Sequence, residues 1–323
     1  MTNKYENKLI EQFELFDASN INIDHSVKKI FLCGGEVDIE NQLTPSFRDR
    51  LLRYTSVANE QLSYMHDSFV LAENFKDYFK ENIYSDLLVF ESDIASISAL
   101  VLIVLESPGS LVELGMFCNK PELYKKLIIV ANSNYTDKQD SFIYLGPLEY
   151  IRRKEPTAVA EYPWDEKVSK IDSDSLADLA SVINERLDKY PKTEKLKADN
   201  FGHLAFLTAE IISIVYPVLF GEIELVFMAL EIEVSYSDLQ RILYLLSKVE
   251  LISNRNYGTS YKFYYPYNTE LRTARFGQNT KGKVLDHMKL RMLILQSFIN
   301  ESDQLSVRRK NVLKLINESK RGD

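Results

Sequence analysis

The sequence predicts an α/β fold, in which a parallel β-sheet is covered by helices on both faces, followed by a mainly helical second domain. The most apolar stretches, ALVLIVL (99–105) and KLIIVAN (126–132), are continuous rather than alternating, as in strands buried on both faces. Segments with helical apolar spacing separate these strands, which is typical of strand–helix–strand units. After residue 200 the pattern changes to consecutive helices and a hairpin.

The elements of the α/β part follow one another in a regular order. Each expected strand is rich in β-branched and apolar residues, and the helices between them show apolar spacing of three and four residues. The predicted elements are a helical lead-in (1–24), a strand (28–35), a helix (46–62), a short strand (68–74), one or two helices (75–98), a buried strand (99–107), a helix (110–119), a buried strand (126–132) and an edge strand (157–163).

Three distinctive segments stand at the ends of the first three strands. They are CGG (33–35), AEN (72–74) and ESPGS (106–110). Parallel sheets of this kind bind ligands at the carboxyl ends of their strands. We therefore expect these three segments to meet in one crevice.

The composition favours a globular protein of a reducing cytoplasm. Two cysteines in 323 residues argue against a disulfide framework, and the charged, amphipathic N-terminus does not resemble a signal peptide. The four histidines lack metal-ligand spacing, so we expect neither a metal site nor a cofactor. The apolar segment 203–220 carries His203 and Glu210, which favours a buried core helix over a membrane span.

The charge is distributed unevenly along the chain. From residue 241 to the end there are 16 Lys and Arg against 7 Asp and Glu, a net charge of +9. The whole chain carries −8, so residues 1–240 carry −17. A basic end on an acidic body fits a polyanionic partner, but it equally fits a solvated helical tail packed on that body.

The segment 236–267 has the layout of a winged helix, because a helix with one apolar face is followed by two strand patterns around the turn NRNYGTS (254–260). Tyr244 is expected on the exposed face of that helix. The surface can serve nucleic acid or another protein, and the basic C-terminal segment favours a phosphate backbone. The residues expected to contact a nucleic acid or another partner are Arg241, Lys248, Arg255, Lys262, Arg308 and Arg309.

These patterns predict three parts of the chain. Residues 1–165 form the α/β domain, residues 166–200 form a charged helical connector, and residues 201–323 form the winged-helix domain with its basic C-terminal tail.

The stretch ESPGSLVELG (106–115) allows a structural and a chemical interpretation. Ser110 and Glu113 have the spacing of a capping box, in which each side chain binds the backbone N–H group of the other residue. Alternatively, a carboxylate in the first turn of this helix faces the expected crevice. There it can stabilise an oxocarbenium ion at a ribose C1′ or attack that carbon. Gly109 and the pair Gly34–Gly35 let a ligand approach the backbone closely.

Several of these stretches together resemble the effector proteins of bacterial retron anti-phage systems. The resemblance rests on IFLCGG, VLIVLESPGSLVELGMFCN, KLIIV and SFIYLGPLEYIRRK, and it is most specific at ESPGS-x-x-ELG and SFI-x-x-GP. It implies a Rossmann-like domain similar to nucleoside deoxyribosyltransferases, followed by a winged-helix domain. In that superfamily a Gly-Thr/Ser pair precedes the catalytic glutamate by three residues, which here are Gly109-Ser110 and Glu113.

The resemblance implies a substrate site around Glu113 as the catalytic residue. One departure is Ala99, which stands where the superfamily often has an aspartate before the third strand. No histidine or other strong acid is evident beside Glu113, which favours NAD⁺, because nicotinamide leaves without being protonated. The residues expected to bind substrate are Gly34, Gly35, Glu73, Glu91, Glu106, Ser107, Gly109 and Ser110.

The expected function is that of a toxic retron effector that cleaves the N-glycosidic bond of NAD⁺ or a related nucleotide. The resemblance implies a reverse transcriptase and its multicopy single-stranded DNA–RNA hybrid (msDNA) as partners that restrain the enzyme, in a higher-order oligomer and without a membrane. The alternative is a winged-helix DNA-binding regulator whose α/β domain senses a nucleotide without turning it over.

Overall fold

The computed structural model describes residues 3–38, 44–56, 60–75, 83–136, 142–165, 173–284 and 286–319. The chain divides into two compact units. One, here called the α/β unit, is Val27–Tyr190, and the other, here called the helical unit, combines Met1–Ser26 with Pro191–Asp323.

Among the described residues, helices and strands alternate in the first half of the chain, whereas the second half is mostly helical. The helices are α1 (Lys4–Phe13), α2 (Phe47–Ser56), α3 (Glu60–Ser68), α4 (Leu87–Ile97), α5 (Pro108–Phe117), α6 (Ser133–Thr136), α7 (Glu149–Lys154), α8 (Ser173–Lys189), α9 (Phe201–Val215), α10 (Phe220–Ala229), α11 (Tyr236–Lys248), α12 (His287–Ile299) and α13 (Gln304–Ser319). The strands are β1 (Asn22–Asp24), β2 (Ile30–Cys33), β3 (Phe69–Val70), β4 (Leu100–Val104), β5 (Leu127–Asn132), β6 (Val159–Tyr162), β7 (Thr193–Lys195), β8 (Ile252–Tyr257), β9 (Tyr261–Pro266) and β10 (Ala274–Arg275).

The α/β unit is built on a five-stranded parallel sheet in the order β3-β2-β4-β5-β6. Every residue of β2, β4 and β5 is buried, which explains their uninterrupted apolar sequences. The predicted α/β fold class is therefore confirmed. The chain runs from β2 to β3 on one side and then returns to β4 on the other side of β2. This reversal is the point at which such sheets form their ligand crevice.

Helix α8 belongs to the α/β unit rather than to a connector. Its Leu179 and Ile183 are fully buried in the cluster that also contains residues of β2 and β4. The charged residues that suggested a connector lie on the opposite, solvent-facing side of the helix, while the apolar residues recur at helical spacing. The α/β unit therefore extends to residue 190, beyond the expected boundary at 165. Residues 166–172 lie outside the described residues.

The N-terminal segment belongs to the helical unit and not to the α/β unit. Helix α1 packs on α10 and α12, and the Tyr5 hydroxyl donates a hydrogen bond of 2.5 Å to the Val215 carbonyl oxygen. Strand β1 pairs antiparallel with β7 and with β10, which closes a three-stranded sheet within the same unit. The expected α/β domain from residue 1 thus begins instead near Val27.

The helical unit contains the element order of a winged helix. Helices α9, α10 and α11 precede the antiparallel hairpin β8–β9, and Val218 between α9 and α10 pairs with Tyr264 of β9. Helix α9 is buried along almost its whole length, as expected for a core helix. Among the described residues, no helix combines the length and the apolar character needed to cross a membrane.

The basic C-terminal segment is a packed helix rather than a free tail. Val312 and Ile316 of α13 bury against Phe263 of the hairpin. Arg309 lies on the same face, is 1% exposed, and pairs with the buried Glu222 of α10. Its guanidinium also lies over the Tyr5 ring at 3.7 Å. The prediction that Arg309 contacts a partner is therefore wrong, because the side chain is enclosed in the core.

This buried ion pair should make Arg309 important for stability. Replacing it in Arg309→Met leaves the Glu222 carboxylate buried without a counter-charge, so we expect the free energy of unfolding to fall by about 3–5 kcal/mol. The double variant Arg309→Met/Glu222→Leu removes both charges and should recover most of that loss. Urea denaturation measures both variants, with Lys314→Met on the exposed face of α13 as control. An equal loss in the single and double variants would contradict this account.

Candidate active site

The site lies where β2 and β4 end, at the reversal of the sheet. Glu106, two residues beyond β4, accepts backbone N–H groups from Gly35 at 2.9 Å, Phe47 at 2.6 Å and Arg48 at 3.0 Å. Both carboxylate oxygens of Glu106 accept hydrogen bonds. Two of these bonds satisfy backbone N–H groups at the start of α2, where a negative charge is favourable. Glu106 thus fastens the loop after β2 and the first turn of α2 to the end of β4. It was expected to bind substrate, and the structure gives it this structural role.

Two serines form the cap of α5. The Ser107 Oγ accepts the Ser110 N–H at 3.1 Å, and the Ser110 Oγ accepts the Ser107 N–H at 3.1 Å. The prediction that Ser110 and Glu113 form the capping box is therefore wrong, because the box lies three residues earlier. Pro108 occupies the first helical position, where its missing N–H costs nothing and its fixed φ suits the helix. Glu113 is consequently free of any capping role.

The glycines of the site differ in what they permit. A Cβ on Gly34 would lie 3.0 Å from carbons of Arg48, and one on Gly35 would lie 2.8 Å from the Ser46 Cβ. These two glycines let the loop pack closely against the start of α2. A Cβ on Gly109 would meet nothing nearer than the Ser107 Oγ at 3.8 Å, so the backbone there is open to close approach.

Glu113 has an unusual environment in the second turn of α5. Its Oε2 is buried and has no hydrogen-bond partner, and within the described ranges no other carboxylate has such an oxygen. Burial raises the pKa of the Glu113 carboxyl, while a hydrogen bond from the Cys33 thiol and the charge of Arg48 lower it in part. Buried polar atoms are nearly always satisfied, and exceptions are common at functional sites.

Two further carboxylates predicted for the site surround Glu113. Glu91 of α4 is 7% exposed, and burial raises its pKa to about 7, with the negative charges of Glu113 and Glu73 adding to the rise. Glu73, in the turn after β3, is half exposed and pairs with Arg48. The Arg48 Nη1 also donates to the Leu32 carbonyl oxygen at 3.4 Å, which holds the guanidinium beside the end of β2.

Sequence reasoning named Cys33 only as part of the CGG segment, without a role, and it missed Arg48. Cys33 is the last residue of β2 and is buried, and burial, followed by the charge of Glu113, raises the pKa of its thiol well above the usual range. The sequence did contain a signal for Arg48. A cation in the first turn of a helix is unfavourable because it opposes the helix dipole, so an arginine at that position is unusual. Its position is explained by the carboxylates around it.

A cluster of two histidines and a glutamate lies in the helical unit. Glu194 Oε2 is 3.2 Å from His25 Nε2 and 3.3 Å from His203 Nε2. His203 Nδ1 accepts the Lys197 N–H at 3.1 Å, so the neutral ring carries its proton on Nε2 and donates it to Glu194. A protonated Nε2 has no lone pair for a metal, and these three residues form a hydrogen-bonded cluster that joins β7 and α9.

Comparison with known proteins identifies the family. A model of the STM3845 retron effector protein matches residues 44–254, which is more than half of the chain. This chain belongs to the retron effector family. It is 30% identical over 270 residues to a retron Ec73 protein of Escherichia coli, named as a candidate ribosyltransferase and DNA-binding protein, which covers 77% of this chain and 83% of the relative. A retron Ec86 protein of Escherichia coli with the same description is 31% identical over 124 residues, or 38% of this chain and 37% of the relative.

The retron effector presents few of its predicted partner-contact residues to solvent. In α11, Arg241 pairs with Asp238 at 2.8 Å. Tyr244 is buried, contrary to the prediction, and Lys248 is exposed with its ammonium group over the Tyr244 ring. In the hairpin, Lys262 is exposed near the tip.

Two predicted contact residues are partly covered by packing. Arg255 of β8 lies opposite Phe263 of β9 and is half-buried on the face that α13 covers. Arg308 of α13 is half-buried with its guanidinium 4.4 Å from the Tyr261 ring centroid. Lys248 and Lys262 therefore remain the best exposed of the six predicted cations.

The two carboxylates of ESPGSLVELG should respond differently to the same substitution. Glu106→Gln replaces an acceptor of backbone N–H groups by a donor, so we expect a loss of about 2–3 kcal/mol in the stability of the effector. Glu113→Gln removes a buried charge whose raised pKa destabilises the folded chain as the pH rises through that range, so stability at pH 7 should stay equal or increase. Hydrogen–deuterium exchange of β2 and β4 measures both. A larger loss in Glu113→Gln would contradict these roles.

Proposed function

We propose that this chain is the toxic enzyme of a retron anti-phage system, and that its α/β unit cleaves the N-glycosidic bond of NAD⁺ through Glu113. The observation that carries the proposal is the buried, unpartnered Oε2 of Glu113 at the reversal point of a parallel sheet. The description of the retron Ec73 relative as a candidate ribosyltransferase agrees with transfer or hydrolysis at a ribosyl carbon.

The chemistry follows from the surroundings of Glu113. Burial raises the pKa of the Glu113 carboxyl, and the Cys33 thiol and the Arg48 guanidinium oppose this rise and so favour the ionised form, whose oxygen acts at the ribose C1′. That oxygen attacks C1′ or stabilises the oxocarbenium ion that develops as the base departs. Gly109 leaves the backbone of the first helical turn accessible to the sugar.

NAD⁺ is the candidate substrate whose cleavage requires the fewest catalytic groups. Its nicotinamide is already cationic, so it leaves as a neutral base and needs no proton from the enzyme. A single ionised carboxylate therefore suffices to start hydrolysis. No cofactor enters this reaction.

In this proposal the helical unit supplies the contacts with the partners. The partners are the retron reverse transcriptase and its msDNA–RNA hybrid, which restrain the enzyme in a higher-order assembly. The names of both relatives include DNA binding, and the winged-helix order of α9 to β9 is consistent with a nucleic-acid contact. The exposed Lys248 and Lys262 are the cations best placed for phosphates.

Glu113→Gln should abolish both NAD⁺ loss and toxicity while sparing assembly, because the amide can neither attack C1′ nor stabilise a cation. Nicotinamide released from NAD⁺ by the purified chain is measured by chromatography, and growth is measured in cells that express the chain. Glu185→Gln, on the exposed face of α8 in the same unit, is the matched control and should behave as wild type. Undiminished turnover in Glu113→Gln would refute the role. Nucleotide binding without turnover by the wild type would favour the DNA-binding regulator.

Lys248→Ala/Lys262→Ala should weaken binding of single-stranded DNA by removing two phosphate contacts. We expect the slope of log binding constant against log salt concentration to shrink by about 1.4, since each lost contact with a single strand contributes about 0.7. Fluorescence anisotropy at several salt concentrations gives the slope, with Lys189→Ala on α8 as the control. An unchanged slope would place the nucleic-acid contact elsewhere, or would indicate that this surface serves a protein.

A further inference from the structure

Helix α12 of the helical unit is apolar on two opposite faces. Its inner face packs into the unit through the buried Leu290, Ile294 and Phe298. Because an α-helix has about 3.6 residues per turn, a second set of apolar residues falls on the opposite side. This set, here called the outer row, consists of Met288, Met292, Leu295 and Ile299. A helix that is apolar all round is normally enclosed by protein, so the outer row has the composition of a buried surface.

The outer row is nevertheless open to solvent. Met288 is 61% exposed, Met292 is 53% exposed and Ile299 is 37% exposed, while Leu295 is partly buried. Single exposed apolar residues are common on protein surfaces and need no explanation. Four of them aligned along one helix form a continuous patch, and such patches mark interaction surfaces.

The spacing of the outer row fits a helical partner. Residues 288, 292, 295 and 299 alternate between steps of four and three, as along the seam where one helix packs on another in a coiled coil. The row ends at Ile299, which also lines a cavity of about 380 Å³. The other lining residues belong to α13 and are Lys310, Leu313, Lys314, Asn317 and Glu318. The row therefore leads into a cavity that can receive a side chain of the partner.

Cations border the outer row and the cavity. Lys289, at the start of the row, is exposed, and the side chain of Lys314 is 77% exposed. Lys310 also lines the cavity, and its Nζ donates to a backbone carbonyl oxygen at 2.8 Å. Glu318 is the one carboxylate in the described lining, and it lies 3.8 Å from the Lys314 Nζ. The positive charge is thus only partly neutralised, and it is complementary to an acidic partner.

We propose that the outer row and the cavity bind an α-helix of a partner protein, which presents apolar side chains at the same spacing and acidic residues beside them. This is the helix-in-groove mode of recognition. Nucleic acid fits less well, because the described lining of the row and the cavity includes no aromatic side chain on which a base could stack. The proposal does not depend on the reaction at Glu113.

A second copy of this chain also fits the outer row less well than an acidic helix. Pairing two outer rows would bring the cations of both copies together, which opposes association. Four side chains also fall far short of the about 20–30 residues on each side of a stable interface. A single acidic helix needs no larger surface than the row and the cavity offer.

The probe is a fluorescein-labelled peptide of about three heptads, with leucine at the a and d positions and glutamate at the e and g positions. Fluorescence anisotropy with the purified chain should show saturable binding that weakens as salt increases. Met292→Glu places a like charge at the centre of the row and should weaken binding at least about tenfold. Met228→Glu on α10, at a position that is 64% exposed, is the matched control and should bind as wild type does.

The charge of the rim is tested separately from the outer row. A control peptide with lysine in place of every glutamate should bind at least about tenfold more weakly than the acidic peptide. Lys289→Ala/Lys314→Ala should reduce the salt dependence of acidic-peptide binding. Both tests leave the apolar row unchanged, so they remain valid even if Met292→Glu does not fold. Far-UV circular dichroism checks that Met292→Glu and Met228→Glu fold equally, as expected at exposed positions.

Three results would overturn the proposal: no binding of the acidic peptide, equal binding of the two peptides, or an equal loss in Met292→Glu and Met228→Glu. A loss of single-stranded DNA binding in Met292→Glu, with peptide binding intact, would assign the outer row to nucleic acid and also overturn it. Glu113→Gln should bind the peptide as wild type does, and Met292→Glu should still cleave NAD⁺. Failure of this proposal therefore leaves the proposed function intact.

Discussion

The geometry of the site depends on the contacts of one carboxylate, Glu106, with three backbone N–H groups. These bonds join the end of β4 to the loop after β2 and to the first turn of α2. They place Arg48 beside the end of β2, and with it the charge that favours an ionised Glu113. Because the bonds are charge-assisted and partly buried, they are among the stronger hydrogen bonds available to a protein.

The candidate site holds several carboxylates close together, and the stability that their mutual repulsion costs is offset by the rest of the fold. Glu73 and Glu113 lie near the Arg48 guanidinium, the charges of both carboxylates raise the pKa of Glu91, and a buried oxygen of Glu113 has no partner. Such an arrangement lowers stability, and proteins retain it mainly where the groups act on a ligand. The fully buried strands on which the site stands provide the rigid support that a reacting carboxylate requires. The conflict between stability and local charge is therefore itself an argument for catalysis.

Much of the fold was predictable because it depends on patterns along the chain. Continuous apolar runs identified the buried strands. The errors came from features decided in three dimensions. The cap of α5 begins at Ser107 because Pro108 takes the first helical position, a signal that the S-x-x-E spacing at Ser110 outweighed. The charge of Arg309 predicts a solvent-exposed side chain, although its spacing from Val312 and Ile316 places it on the apolar face of α13.

The candidate site was only partly visible in the sequence. The resemblance to retron effectors singled out Glu113, but Cys33 and Arg48 belong to segments that approach Glu113 only after folding. The protonation state of Glu91 depends on burial, which no local pattern reports.

The most direct test of the central claim is a crystal structure of Glu113→Gln with NAD⁺. The account predicts the nicotinamide-bearing C1′ within about 3.5 Å of the side chain at position 113. NAD⁺ bound with that carbon far from position 113 would contradict it.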